Sequence, residues 1–222
     1  LCLLASPARA QNADRCPNIV GGSPALFAVD AELRLRWIDE RLARTAHEAQ
    51  VWTWSWGTGL AVATVANVVP LAFVSPRDRI DWYAGTATTV VGIAPLLIAP
   101  LDVVDDSRSL RAEIATRREG ANLCSLLASA EAKLVRGAND QAERRRWWYH
   151  VVNIALNAGV GLFLGLGYDH WLVGGFNAVS GAAIGEGIIF SQPTSSIDDL
   201  AAYRAGSLGA TKTAALAFRA AF

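Results

Sequence analysis

The stretch from Trp147 to Thr194, WWYHVVNIALNAGVGLFLGLGYDHWLVGGFNAVSGAAIGEGIIFSQPT, constrains this chain more than any other. Two apolar runs flank the turn Tyr168-Asp169-His170-Trp171. Within 151–167 and 172–190 only Glu186 is ionisable. About 20 apolar residues in a helix cross the roughly 30 Å hydrocarbon layer. In lipid, a helix satisfies its own backbone hydrogen bonds. So short a turn predicts an antiparallel transmembrane hairpin.

The rest of the chain repeats the pattern. Apolar blocks at 57–74, 84–104, 150–167 and 172–190 alternate with charged blocks at 30–48 and 105–146. Helices of soluble domains carry both characters on opposite faces, whereas here the two are segregated along the chain. The expectation is an all-α, polytopic membrane protein with four transmembrane helices and an extramembrane helical cap. The lipid bilayer is its first partner. Its 20 Lys and Arg balance 20 Asp and Glu, so there is no global basic field and no nucleic-acid partner is expected.

Taken in order, residues 1–10 (LCLLASPARA) read as the remnant of a signal peptide, with Ala8-Arg9-Ala10 as a small-x-small cleavage site before Gln11. Residues 11–50 form an N-terminal loop and an amphipathic helix beginning at Ser23-Pro24, an N-cap hydroxyl followed by proline. The first transmembrane hairpin occupies 51–104. Trp52, Trp54 and Trp56 form an interfacial belt, and Pro95 and Pro100 bend the second span. The block 105–146 reads as two helices outside the membrane, with Gly137 a C-cap. Asp140 and Glu143 form a capping box that starts the next helix. The second transmembrane hairpin is 147–190, and 191–222 is a polar tail with a short helix from Ser196 to Arg204. A β-barrel is the rival fold, favoured by the alternating tryptophans and the terminal Phe222. It needs eight or more alternating segments of about ten residues, which the charged blocks cannot supply.

Two rules oppose each other on orientation. A cleaved signal places the N-terminus, the cap and the tail outside, on the periplasmic side of a bacterial inner membrane. Arg144-Arg145-Arg146, abutting a span, favour the reverse by the positive-inside rule. Cysteine supports export: once Cys2 is removed with the signal, Cys16 and Cys124 remain on one side, an even pair suited to an oxidising compartment. A disulfide between them is expected; two unrelated buried thiols are the competing reading.

Glu186, in Gly185-Glu186-Gly187, is the most informative side chain, because a carboxylate within a span is costly and marks a functional site by default. A structural hydrogen bond to another helix explains it as well, and in either case it should face protein. Asn153 and Asn157 share a face of the third span, while Asn67 and Asn177 lie in the first and fourth; such amides bond across helices or line a ligand pocket. Gly161-x-x-x-Gly165 and Gly181-x-x-x-Gly185 are faces for close backbone approach. His47, His150 and His170 are scattered, no cluster has metal-ligand spacing, and Asp169-His170 reads as polar turn residues. No phosphate loop, nucleophile elbow or His-Glu-x-x-His motif is present, so no catalytic residue, metal or cofactor is assigned.

Gly185-Glu186-Gly187-Ile188-Ile189-Phe190-Ser191-Gln192-Pro193-Thr194 resembles the end of the last span in a family of uncharacterised bacterial exported four-span membrane proteins. In that family a Gly-Glu is followed by (Thr/Ser)-Gln-Pro-Thr. Asn157 to Leu162 and the Gly-Leu-Gly-Tyr at 165–168 look similar too. The resemblance implies the architecture and no particular activity. The function expected is that of a non-enzymatic envelope protein with a structural or assembly role, whose cap at 105–146 meets a membrane or periplasmic protein partner. The alternative is a small transporter or lipid-modifying protein using Glu186 with Asn157 and Asn177.

Overall fold

The computed structural model describes residues 16–17, 20–117 and 122–209. The signal-peptide reading and the end of the tail, Phe222 included, lie outside the described residues. Every regular element among those described is helical: α1 (Pro24–Phe27), α2 (Ala31–Val68) running into a 3-10 turn (Val69–Ala72), α3 (Arg79–Ile98), α4 (Asp102–Ala115), α5 (Leu123–Glu143), α6 (Trp147–Tyr168), α7 (Trp171–Ser191) and α8 (Ser195–Ala205). Four helical stretches are long and apolar enough to cross a membrane, beginning at Ala31, Arg79, Trp147 and Trp171. The chain is an all-α polytopic membrane protein.

It divides into two compact units. A charged unit comprises the chain up to His47, Asp102–Asp140 and the chain from Thr194; an apolar unit comprises Glu48–Leu101 and Gln141–Pro193.

The charged unit has an ordinary aqueous core. Leu35, Ile38 and Leu42 of α2, Leu110 of α4, Leu127 and Leu134 of α5, and Tyr203 of α8 are buried. Within that core lies an ion pair, Arg34 with Glu131. Arg34 Nε donates to the Tyr203 hydroxyl at 2.9 Å, and that hydroxyl donates to Glu131 Oε1 at 2.5 Å. Arg34 also donates to the carbonyl of Cys16 at 3.2 Å. Burial, and then the Glu131 carboxylate, push the Tyr203 phenol above its ordinary value. The Cys16–Cys124 disulfide is present, with Cα atoms 5.0 Å apart.

Four local expectations needed correction. The helix predicted from Ser23-Pro24 is only α1. The long helix restarts at Ala31 because Asp30 Oδ1 accepts the backbone N–H groups of Glu32 and Leu33 at 3.0 and 3.1 Å, a carboxylate N-cap. Ser23, the expected cap, instead bonds the carbonyls of Arg204 and Ala205 at the end of α8. Gly137 is no C-cap: α5 runs through it to Glu143. A Cβ there would lie 3.3 Å from Ser196 Oγ, so its small size admits α8. Asp140 starts no new helix; its carboxylate accepts the Asp102 N–H at the start of α4. The second apolar block also stops short of Val104. α3 ends at Ile98 ahead of Pro100, and Asp102–Val104 open α4 instead.

In the apolar unit, α6 and α7 are joined by Asp169 and His170 alone. Asp169 has φ 62°, a left-handed conformation that Asp tolerates better than most residues. Its N–H reaches Gly165 O at 3.0 Å and the His170 N–H reaches Leu164 O at 3.1 Å, so two of the last carbonyls of α6 find donors in the turn. At the other end, Arg144 donates to the carbonyls of Ala99 and Pro100, and Arg145 to those of Phe190 and Gln192. Two arginines thus satisfy the C-terminal carbonyls of α3 and α7, where the helix dipole favours a cation. Trp52 and Trp56 both donate to Ser191 Oγ, at 3.2 and 2.8 Å, while Trp54 is 73% exposed.

Candidate functional site

The α6–α7 hairpin determines where its polar residues meet. A Cβ on Gly161 would lie 2.8 Å from the Gly174 carbonyl oxygen, and one on Gly174 would lie 2.6 Å from the Gly161 carbonyl oxygen. The backbones therefore touch, as small residues permit in a membrane. Farther from the turn the contact changes character. A Cβ on Gly181 would lie 2.0 Å from Asn157 Oδ1, and one on Gly185 would lie 2.0 Å from Asn153 Oδ1. Each amide sits in the notch left by a glycine on the opposing helix. The glycine pairs read as faces for close approach serve the hairpin itself.

From these notches a hydrogen-bonded ladder climbs toward the start of α6. Asn157 Nδ2 donates to Asn153 Oδ1 at 3.0 Å and to the Asn153 carbonyl at 2.9 Å. Asn153 Nδ2 donates to the Ala182 carbonyl and to Glu186 Oε1, both at 3.0 Å. The other carboxylate oxygen, Oε2, accepts from His150 Nδ1 at 2.5 Å. The side chains of His150 and Glu186 are each 24% exposed. Glu186 thus faces protein, with both oxygens engaged by α6.

The sequence reading missed His150 as the carboxylate's partner. Part of the signal was present: once the turn is placed, Asn153 lies as far from it as Glu186 does, and His150 is about one helical turn before Asn153. His170 reads in sequence as a turn residue beside Asp169, yet its Nδ1 meets Asp81 Oδ1 at 2.7 Å, tying the hairpin turn to the first turn of α3. Asp169 makes the left-handed corner instead.

The other two amides stay apart from this ladder. Asn67 donates to the Ala63 carbonyl at 2.8 Å and packs on Gly85 of α3, whose Cβ would lie 2.2 Å from its Oδ1. Asn177 donates to the Val173 carbonyl at 3.1 Å. No hydrogen bond among the described residues joins Asn177 to Asn157 or Glu186. A cavity of about 520 Å³ between α2, α3, α6 and α7 does bring the amides together: Asn67, Asn153, Asn157 and Asn177 all line it. It reaches Gly185, but Glu186 is not among its lining residues. Thr64 and Thr89, whose hydroxyls are 2.8 Å apart, join α2 to α3 beside it.

No protein-family model matches the chain, and comparison with curated proteins and with solved structures gave no significant match.

Proposed function

We propose that this chain is a non-enzymatic protein of the bacterial envelope, resident in the inner membrane, with a structural or assembly role. Its charged unit, N-terminus and tail lie on the periplasmic side. The observation that carries the reading is the Cys16–Cys124 disulfide within the charged unit, because such bonds persist in oxidising compartments. The arginines that argued for the opposite orientation have a second use. Arg144 and Arg145 satisfy helix-end carbonyls, so their place beside α6 has a cause besides topology. The resemblance of Gly185–Thr194 to exported four-span proteins points the same way. The outer face of α4, where Asp105, Arg108 and Arg111 are exposed, offers a protein partner a mixed-charge surface.

In this reading Glu186 cross-links α6 and α7. The transporter or lipid-modifying alternative, acting through Glu186 with Asn157 and Asn177, would need the carboxylate free in the cavity, whereas its oxygens are held by His150 and Asn153. Glu186→Gln separates the two. The amide keeps an acceptor and a donor, so the protein should insert, fold and recover the same co-purifying proteins. Loss of the protein's cellular phenotype from a variant that inserts, folds and keeps those proteins would argue for a proton- or cation-handling site.

A further inference from the structure

The cavity in the apolar unit has chemistry that the assembly role does not use. Among the described residues no carboxylate, ammonium, guanidinium or imidazole lines it, and the Tyr149 phenol is the one titratable group. A charged ligand there would lose its hydration without gaining a counter-ion. Most of the wall is aliphatic or aromatic, with Leu60, Val160 and Ile188 among its residues. Residues of α3 from Gly85 to Pro95 line it, which at 1.5 Å per residue makes it roughly 15 Å long. Its volume, about 520 Å³, lies in the range of small-molecule sites, which pair apolar walls with a few fixed polar groups.

Those polar groups have unused capacity. Asn67 and Asn177 each spend one amide N–H on a backbone carbonyl, and neither Oδ1 accepts a hydrogen bond among the described residues. Both side chains line the cavity, as does Ser180. Val91 and Phe176 line it as well, yet are 58% and 73% exposed. Its wall therefore includes side chains on the lipid-facing surface, and a ligand dissolved in the bilayer has access to it.

We propose that this cavity binds a neutral, single-chain amphiphile, whose chain lies along the aliphatic wall and whose hydroxyl or amide donor meets Asn177. This site shares Asn153 and Asn157 with the ladder but needs neither Glu186 nor the assembly role.

The test uses the full chain in lipid nanodiscs. Three photoactivatable probes share one alkyl chain and differ in head group: a primary alcohol, a sulfonate and a trimethylammonium. The alcohol should label cavity-lining peptides of α3, α6 and α7 at least about fivefold more than either ion. Asn177→Leu, which removes the acceptor, should lower that labelling about fivefold, the equivalent of one hydrogen bond. Val91→Trp, at an exposed position on the rim, should lower it without disturbing helix packing, and it decides the matter should Asn177→Leu fail to fold. Equal labelling by all three probes, preferred labelling by an ion, or labelling unchanged in Val91→Trp would overturn the proposal.

Discussion

The two units are built from the same element, the helix, and sealed by opposite means. In the charged unit the large aliphatic side chains point inward: Ile38, Leu110 and Leu127 are fully buried. Its strongest polar contacts, Arg34 to Glu131 and Tyr203, lie inside with them. In the apolar unit most large side chains point outward, Leu172 at 91% and Leu166 at 73% exposure, while Leu60, Leu96, Leu101 and Leu164 are buried. Its interior contacts are made by glycine and asparagine. Each arrangement suits its solvent. Water drives apolar side chains together, whereas lipid is as apolar as leucine and leaves backbone approach and amide bonding to hold helices.

The largest effect should come from halving the buried pair of the charged unit. Arg34→Ala removes the cation facing buried Glu131, which keeps the Tyr203 hydroxyl as a donor, and should cost about 3–5 kcal/mol in denaturant unfolding. Arg34→Met with Glu131→Leu, which removes both charges at similar volume, should recover most of that loss. No recovery would mean that the pair acts through more than charge burial.

Opening the disulfide comes next. Cys16→Ser with Cys124→Ser should destabilise the charged unit by about 2–4 kcal/mol. Proteolysis should then cut the charged unit faster while leaving the α6–α7 hairpin intact. Equal loss in both units would erase the distinction between them.

In the apolar unit the sensitive change is addition. Gly181→Ala places a methyl against the Asn157 amide and should cost about 1–3 kcal/mol by overpacking. Adding Asn157→Ala should relieve most of it, although that change alone forfeits a bond of about 0.6–2 kcal/mol. A double-mutant cycle with no coupling would contradict the notch geometry.

The smallest effect is a pH dependence confined to the charged unit. Folded Tyr203 keeps its proton above the ordinary phenol value of 10.0. Above that pH the unfolded state holds fewer protons than the folded one, so stability is full below about pH 10 and falls as pH rises further. Tyr203→Phe should remove that component of the alkaline slope; an unchanged slope would assign it elsewhere.

Segregated hydropathy made the spans and the α6–α7 turn legible in the sequence, and the count of cysteines on one side made the disulfide legible. Apart from the Asp30 cap and the stop before Pro100, which are local, the misread features depended on a distant partner. Ser23 looked like a cap because its local neighbours fit one, but α8 claims it. Gly137 looked like a helix end because nothing nearby shows that Ser196 needs the space. Arg34 and Glu131 sit among many charges of the same kind, and no local pattern marks the two that are buried. Counting from the turn pairs Glu186 with Asn153 and puts His150 one turn away, within reach of the carboxylate. His170 could not have been matched to Asp81, because that contact depends on how α3 packs.

In the proposed orientation α3 crosses the membrane, with α4 on the exported side and the turn before α3 on the other. Arg77, in the turn before α3, and Arg108, on α4, are both exposed, so either accepts a cysteine without disturbing the Cys16–Cys124 bond. A membrane-impermeant maleimide applied to cells with a permeabilised outer membrane should label Arg108→Cys directly. It should label Arg77→Cys only after the inner membrane is opened. Direct labelling of Arg77→Cys with protection of Arg108→Cys would invert the orientation, and direct labelling of both would deny that α3 spans the bilayer.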